Sequence, residues 1–328
     1  MDPQPLKAAI HVHFVLLPGS LILDWAGPAE ALRMANQRLR DAGESDAFVL
    51  HFIGPQAETE SSVGATITAI QPLPGSLPDN SWLVLVGQPG VIIDVATPET
   101  LTLLHWLRGL RLKEGQLELL TVCAGAVIAG HAGLLHGHRA TTHHHHLDEL
   151  RRVAQGCDVV ENRVFVLDGA VASSAGVTTG IDLFLHRIAA VCGPALAPRV
   201  AQSMVVALRR GPNDPELSPF LSHRNHLHPA LHRVQDAVGQ QPQADWSVKR
   251  MADVACTSPR HLTRLFLTHG GIAPLQYLRR IRLDVAEVAL RAGHNVTQAA
   301  QTAGFSSDTQ LRRTWHQMGK PGTPGNMF

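Results

Sequence analysis

The 328-residue chain is 45% apolar, enough to build two globular domains with cores of their own. It has no run of 18 apolar residues, which argues against a transmembrane helix. Its net charge of +1 is unevenly distributed: residues 1–219 carry 15 Lys/Arg against 21 Asp/Glu, whereas residues 220–328 carry 13 against 6. The basic C-terminal third indicates contact with a polyanion.

The cysteines are widely spaced and fit no zinc-ligand or CxxC pattern; they are Cys123, Cys157, Cys192 and Cys256. The first 20 residues lack the charged start and cleavage site of a signal peptide. We therefore predict free thiols in a reducing bacterial cytoplasm. We also expect no membrane association and no bound cofactor.

The first two thirds of the chain alternate between strand-like and helix-like segments. Strands are predicted at 9–17, 47–54, 81–90 and 116–122, with helices at 25–40 and 98–110. This alternation predicts a doubly wound, mostly parallel α/β sheet of the flavodoxin-like type. Ligands of such sheets bind beyond the carboxyl ends of the strands. The segments at those ends are 18–24, 87–90 and Cys123.

Beyond Gly176 the pattern becomes helical, with helices predicted at 177–191 and 194–209. A proline-rich polar stretch then favours a linker. We predict an α/β domain over 1–210, a linker over 211–228 and an all-α domain over 229–328.

The all-α domain contains an internal repeat, "VKRMADVACTSPRHLTRLF" (248–266) and "VTQAAQTAGFSSDTQLRRTW" (296–315). The copies align Ala252 with Ala300, Ala255 with Ala303, Leu262 with Leu311 and Phe266 with Trp315, with one residue inserted in the second turn. Each copy predicts a helix, a tight turn and a second helix capped by serine. Two helix-turn-helix units follow from this pattern.

In such a unit the second helix enters the major groove of DNA. Those helices are predicted at 258–269 and 307–317. Their exposed residues are the predicted DNA contacts: Arg260, Thr263, Arg264, Asp308, Thr309, Gln310, Arg312 and Arg313. Arginine suits guanine or phosphate, and glutamine suits adenine. The alternative is a helical bundle with a solvated basic face.

The stretch "IAPLQYLRRIRLDVAEVALRAGHNVTQAAQTAGFSSDTQLRRTW" resembles the DNA-binding region of the AraC/XylS family of bacterial transcription regulators. The resemblance covers about 230–320 and implies a central helix at 274–292. It also implies a homodimer on repeated half-sites of double-stranded promoter DNA. The chain departs from the family after "HQMG", where "KPGTPGNMF" replaces the usual Ser-Pro-x-x-Tyr-Arg stretch.

In the first domain, "TVCAGA" places Cys123 between a strand and a small-residue helix. The helix dipole there favours a thiolate. His143 follows 20 residues later, and Asp24 ends the first strand-to-helix loop. Cys123 and His143 are thus candidates for nucleophilic catalysis, or they line a binding pocket.

This domain resembles the class I glutamine-amidotransferase-like domain of the PfpI superfamily, in the version fused to AraC-type units in GlxA-like regulators. The resemblance rests on "LDWAGPAEAL" (23–32), "TVCAGAVIAGHAGLLHGHRATTH" (121–143) and "SSAGVTTGIDLFLHRI" (173–188). It implies a sensing and dimerising module for a small nitrogen-containing metabolite, such as an amino acid or a betaine. The candidate effector-binding residues are Asp24, Gly87, Gln88, Cys123, Ala124 and His143.

The chain departs from the enzymes of this superfamily in ways that weaken catalysis. They usually carry a glutamate near the cysteine and a Gly-Gly pair where this chain has Gly87-Gln88. We therefore predict a non-catalytic sensor domain in a DNA-binding regulator, with activation of transcription as the expected output. The alternative is a cysteine-dependent hydrolase or amidase that uses Cys123 and His143 and is tethered to DNA by its basic tail.

The run His143–His146 raises the question of metal binding, because imidazole is a common ligand of transition metals. On a helix, His143 and His146 would share one face at a spacing of three. No third ligand is evident from the sequence, and an exposed polar helix start explains the run. We predict no metal site here.

Overall fold

The computed structural model describes residues 9–206, 210–212, 223–224, 226–291, 293–320 and 322–325. The chain divides into two compact units, Met1–Glu216 and Leu217–Phe328. No helix in these described ranges is long and apolar enough to cross a membrane. Most of the predicted linker, 211–228, lies outside the described residues, and the proposed domain limits stay a prediction.

The first unit is organised around one large sheet. Strands β1 to β11 span, in chain order, Ile10–Val15, Phe48–Gly54, Thr59–Glu60, Thr66–Ile67, Gln71–Pro72, Ser81–Leu85, Leu117–Val122, Arg139–Ala140, Asp158–Val159, Phe165–Asp168 and Val171–Ser174. Over the described residues, seven of them form a sheet in the order β10-β11-β7-β6-β1-β2-β5. Its neighbouring strands are parallel except for β10 and β11, which are antiparallel. This confirms the predicted mostly parallel α/β fold.

Helices cover the sheet and bury its strands. The helices of the first unit are α1 Ile22–Asp41, α2 Pro98–Arg108, α3 Gly125–His131, α4 Leu147–Val153, α5 Thr178–Cys192 and α6 Leu196–Ser203. All five residues of β6 are buried, as expected for a parallel strand covered on both faces. Phe14 of β1 stacks on Phe52 and Phe184, with ring centroids 5.6 and 6.0 Å away.

The helix predicted at 194–209 is too long at its C-terminal end. The helix α6 ends at Ser203, and Val205 has a φ of 56°. The Val206 N–H donates to the Ala201 carbonyl at 2.9 Å, which closes the helix end in the manner of a Schellman motif. Residues 207–209 of that prediction lie outside the described ranges.

The second unit is helical over its described residues. It comprises α7 Pro229–Gln240, α8 Val248–Val254, α9 Pro259–Leu265, a π-helical segment Phe266–Gly270, α10 Pro274–Arg291, α11 Val296–Ala303 and α12 Asp308–Gln317. One apolar core surrounds Leu262 and Phe266, and another surrounds Leu311 and Trp315. Residues of α10 belong to both cores, which confirms a central helix between two helix-turn-helix units.

Candidate functional sites

Cys123 forms a sharp turn between β7 and α3. Its φ of 56° lies in the left-handed region, which non-glycine residues rarely adopt. The turn is fixed by two hydrogen bonds: the Cys123 N–H donates to the Ser174 carbonyl at 3.1 Å, and the Thr142 hydroxyl donates to the Cys123 carbonyl at 2.8 Å. Only 4% of Cys123 is exposed, so the turn presents its thiol inside the protein.

The polar neighbour of this thiol is the fully buried carboxyl group of Asp24. The Oδ2 atom of Asp24 accepts the Gly87 N–H at 3.0 Å, and its Oδ1 atom accepts the Val177 N–H at 2.9 Å. The Cys123 side chain also hydrogen-bonds this carboxyl. Burial raises the pKa of Asp24, and the hydrogen bonds from Val177, Gly87 and Cys123 oppose that rise.

Two glycines allow Asp24 and Cys123 to approach each other. A Cβ atom at Gly87 would lie 2.7 Å from Asp24 Oδ2 and 2.9 Å from Cys123 Cβ. A Cβ atom at Gly176 would lie 2.4 Å from Cys123 Cβ and 2.7 Å from its Sγ. All four distances lie below van der Waals contact, so the backbone on two sides of Cys123 requires glycine.

A cavity of about 300 Å³ opens beside Asp24, near the lower end of the range for small-molecule sites. Its lining is mostly apolar, with one carboxyl group and one hydroxyl group: Leu21, Ile22, Leu23, Asp24, Ser62, Val63 and Val177. Leu23, Val63 and Val177 are large apolar residues that remain exposed. Almost all of the surface that faces the cavity is apolar, so the cavity suits the apolar part of a small molecule.

In the second unit, both helix-turn-helix copies have the predicted caps and packing. The Ser258 hydroxyl accepts the His261 N–H at 3.3 Å, and the Ser307 hydroxyl accepts the Gln310 N–H at 3.2 Å. The aligned apolar positions of both copies are buried: Ala252, Ala255, Leu262, Phe266, Ala300, Ala303, Leu311 and Trp315. The repeat found in the sequence is therefore a structural repeat.

The predicted DNA contacts divide into two groups. Five of them are exposed on α9 or α12: Arg260, Arg264, Thr309, Arg312 and Arg313. Of these, Arg264 also hydrogen-bonds the Nδ1 atom of His261 on the same helix at 2.7 Å. The other three stabilise their own units. The Thr263 hydroxyl donates to the Pro259 carbonyl, Asp308 accepts from the Thr297 hydroxyl, and Gln310 accepts from the Ser306 N–H and hydroxyl.

Comparison with known proteins identifies both units. Residues 12–190, more than half of the chain, match the DJ-1/PfpI family. The chain belongs to the DJ-1/PfpI family. Residues 251–319 match a helix-turn-helix domain, so this DJ-1/PfpI member carries an AraC-type helix-turn-helix region after its α/β domain.

Relatives with the same combination are named as regulators. The HTH-type transcriptional regulator CdhR of Pseudomonas aeruginosa is 27% identical over 307 residues, 92% of this chain and 87% of the relative. The HTH-type transcriptional regulator GlxA of Rhizobium meliloti is 29% identical over 218 residues, 66% of this chain and 67% of its own. A solved ThiJ/PfpI family protein from Pseudomonas syringae shares the fold, with 20% identity, a TM-score of 0.53, and coverage of 78% of this chain and 94% of that protein.

Within the DJ-1/PfpI unit, the structure brings together Asp24, Gly87, Cys123 and the adjoining Ala124 backbone. Gln88 instead donates its side-chain amide to the Pro18 carbonyl at 2.7 Å, which ties two loops to each other. Sequence reasoning missed the contributions of Gly176 and Val177. The signal was the "AGV" that follows β11 at the carboxyl edge of the sheet.

His143 contacts its own histidine run. Its Nδ1 atom accepts the His145 N–H at 3.4 Å, and its ring centroid lies 4.2 Å from that of His144. Burial and the neighbouring imidazoles lower the pKa of His143 to about 4. The described polar contact of the Cys123 thiol is with Asp24, so the sequence-based pairing of Cys123 with His143 stays a prediction.

The prediction of an exposed polar helix start is wrong for His146. His146 is 5% exposed, and its Nδ1 atom pairs with Glu149 Oε2 at 2.8 Å. Glu149 is itself buried, and its Oε1 atom accepts the Ile93 N–H at 3.0 Å. A buried carboxylate needs such partners, and His146 supplies one. The run also forms a short 3₁₀ turn, His144–His146, so His143 and His146 do not share an α-helical face.

Proposed function

We propose that this DNA-binding transcription regulator changes its affinity for promoter DNA when a small metabolite binds beside Asp24. The main support for this proposal is the buried Asp24 carboxyl group beside an apolar cavity. A carboxylate offers about four acceptor positions, and the Gly87 N–H, the Val177 N–H and the Cys123 side chain use three. The remaining position suits an N–H donor of an amino-acid-like effector, which reaches the fully buried carboxyl group only when the residues around it shift. A betaine, whose quaternary nitrogen carries no hydrogen, would be held by the charge of the carboxylate instead.

The output of the proposed switch is the basic surface of α9 and α12. Arg264 and Arg313 hold equivalent places in the two helix-turn-helix copies, and both are exposed. In one chain the two units would occupy successive turns of the major groove, about 34–36 Å apart. We further propose a homodimer that reads repeated half-sites. Effector binding controls DNA affinity only if it favours one of two states of this dimer, and activation is the expected output.

A second candidate function, a cysteine-dependent hydrolase or amidase, is favoured by the geometry of Cys123. Its strained turn resembles the way in which hydrolases present a nucleophile, and Asp24 is placed to accept the thiol proton. Two observations count against this candidate: the thiol is 4% exposed, and Gln88 occupies the loop position where the related enzymes have the second glycine. The two functions make opposite predictions for Cys123 variants.

The experiment combines a thermal-shift screen with a turnover assay. Wild type, Asp24→Asn, Cys123→Ser and the matched control Cys256→Ser are tested with amino acids, betaines and polyamines, since a ligand that binds the native state raises Tm. We expect a stabilising compound whose effect is lost in Asp24→Asn and kept in Cys256→Ser, without consumption of the compound. Hydrolysis by wild type that disappears in Cys123→Ser would instead establish the enzyme.

The DNA-binding surface has a separate test. Arg264→Ala and Arg313→Ala should each weaken promoter binding and reduce the slope of log affinity against log salt by about 1. Arg33→Ala, an exposed residue paired with Glu30 in the first unit, serves as the control. An unchanged salt slope in both helix variants would contradict the assignment of α9 and α12 as DNA-reading helices.

A further inference from the structure

Three consecutive imidazoles converge after β8. The ligand atoms of His143, His144 and His145 all lie within 4.8 Å of one another. The ring centroids of His143 and His144 are 4.2 Å apart, as are those of His144 and His145. Consecutive residues of a 3₁₀ turn normally point about 120° apart. Here the three rings nevertheless lie together: His143 precedes the turn, with φ of −56° and ψ of 138°, and His144 and His145 are its first two residues.

The surrounding structure holds this histidine cluster, His143–His145, at both ends. Before it, Thr142 donates its hydroxyl to the Cys123 carbonyl, and the Thr141 N–H donates to the Ser173 hydroxyl, both at 2.8 Å. After it, His146 is paired with buried Glu149. The backbone of the cluster is therefore positioned without a ligand, and His146 is engaged elsewhere.

We propose that His143, His144 and His145 bind one divalent transition-metal ion of the Zn²⁺ class. This proposal replaces the sequence-based expectation of no metal site, which considered the spacing of His143 and His146. Neutral imidazole is a preferred ligand of Zn²⁺, Ni²⁺ and Cu²⁺. Three protein ligands leave a coordination position for water or a small molecule.

Binding requires a modest closing of the cluster. Zn–N bonds of about 2.0–2.1 Å place tetrahedral nitrogen ligands about 3.4 Å apart, compared with the limit of 4.8 Å in this structure. His145 is exposed and His144 half-buried, so we assign the closing movement to rotation of these two side chains. If His143 binds through Nε2, its proton moves to Nδ1 and the long 3.4 Å hydrogen bond from the His145 N–H is lost.

The test is a Co²⁺ titration of the metal-free full-length protein, followed by visible absorption and by competition with Zn²⁺. The triple variant His143→Gln/His144→Gln/His145→Gln should bind one equivalent less than wild type. The control His105→Gln/His316→Gln removes two exposed histidines outside the cluster and should bind as wild type does. Loss of second-shell partners costs 10–100-fold in metal affinity, so each single ligand variant should bind at least about ten-fold more weakly.

Folding is checked by measuring Tm in the presence of EDTA. If the triple variant does not fold, the exposed single variant His145→Gln decides, since this side chain lies at the surface. Equal stoichiometry and equal Co²⁺ affinity in wild type and in the cluster variants would overturn the proposal. So would a ten-fold loss in the His105→Gln/His316→Gln control, because that result would place the ion elsewhere.

Discussion

Cys123 and Cys256 both have a positive φ, but their surroundings are opposite. Their φ angles are 56° and 53°, in the left-handed region that costs a non-glycine residue about 1–2 kcal/mol. Cys123 is buried against Asp24, between Gly87 and Gly176. Cys256 is exposed in the turn of the first helix-turn-helix unit. In the second unit the equivalent residue is Gly304, with a φ of 81°.

The positive φ of Cys256 belongs to an ordinary turn, whereas that of Cys123 belongs to a candidate functional site. In the internal repeat, Gly304 follows α11 at the position where Cys256 follows α8. The turn of the helix-turn-helix unit therefore accepts glycine at this position. At Cys123 the neighbouring backbone is fitted to the cysteine: two glycines make room for it, and a buried carboxyl contacts it. A left-handed residue indicates function only when its surroundings are built around it.

The largest effect is expected at Gly176. Gly176→Ala combines a left-handed residue with a contact of 2.4 Å to Cys123 Cβ and should cost at least about 3 kcal/mol of stability. Gly169→Ala is the matched control, because its φ is 58° and nothing lies within 4 Å of the added Cβ; it should cost about 1 kcal/mol. Hydrogen exchange of β7 peptides measures the loss of stability in both variants. If Gly176→Ala and Gly169→Ala lose similar stability, Cys123 can be displaced at little cost.

A smaller loss is expected for Gly304→Ala. The added Cβ would lie 2.4 Å from the Gln243 Cα. Gln243 is exposed, so its backbone moves aside at a lower cost than the buried Cys123, and we expect about 2 kcal/mol. Gly271→Ala, with a φ of 64° and no atom within 4 Å, is the control. Urea unfolding followed by the fluorescence of Trp246 and Trp315 reports on this unit. Equal effects would contradict the close approach at Gly304.

The two thiols should differ in reactivity. Native protein treated with iodoacetamide should be alkylated at Cys256 at least about ten-fold faster than at Cys123, because access limits the reaction of a buried thiol. Peptide mass spectrometry over time gives both rates. Denatured protein provides the control, in which the rates should converge. Faster modification of Cys123 in the native protein would favour the hydrolase alternative.

The smallest effect is expected for Cys256→Gly. Glycine adopts a positive φ without the cost that cysteine has, which stabilises the folded state. The greater backbone entropy of unfolded glycine opposes this gain, and we expect a net stabilisation of about 0.5 kcal/mol. The unfolding assay used for Gly304 measures it. A loss of stability would show that the Cys256 side chain contributes contacts that the repeat comparison does not reveal.

Local patterns predicted the elements but not their tertiary partners. The apolar runs at β1, β2, β6 and β7 and the repeat in the second unit follow from periodicity and capping, which act over short stretches. The hydrogen bond from the Val177 N–H to Asp24 joins residues that are 153 positions apart in the sequence. It depends on the packing of α1 against α5. For the same reason the buried pair of His146 with Glu149 was missed: their spacing is visible in the sequence, but their burial is not.

We propose above that the Asp24 site controls DNA binding by the second unit. Fluorescence anisotropy of a labelled promoter duplex measures it directly, with wild type and Asp24→Asn titrated in the presence of each amino acid, betaine and polyamine of the screen. Allosteric coupling typically changes affinity 5–150-fold. We predict that at least one compound changes the wild-type Kd by about five-fold or more and leaves that of Asp24→Asn unchanged. An equal change in both proteins, or no change with any compound that stabilises the wild type, would show that the Asp24 site does not control DNA binding.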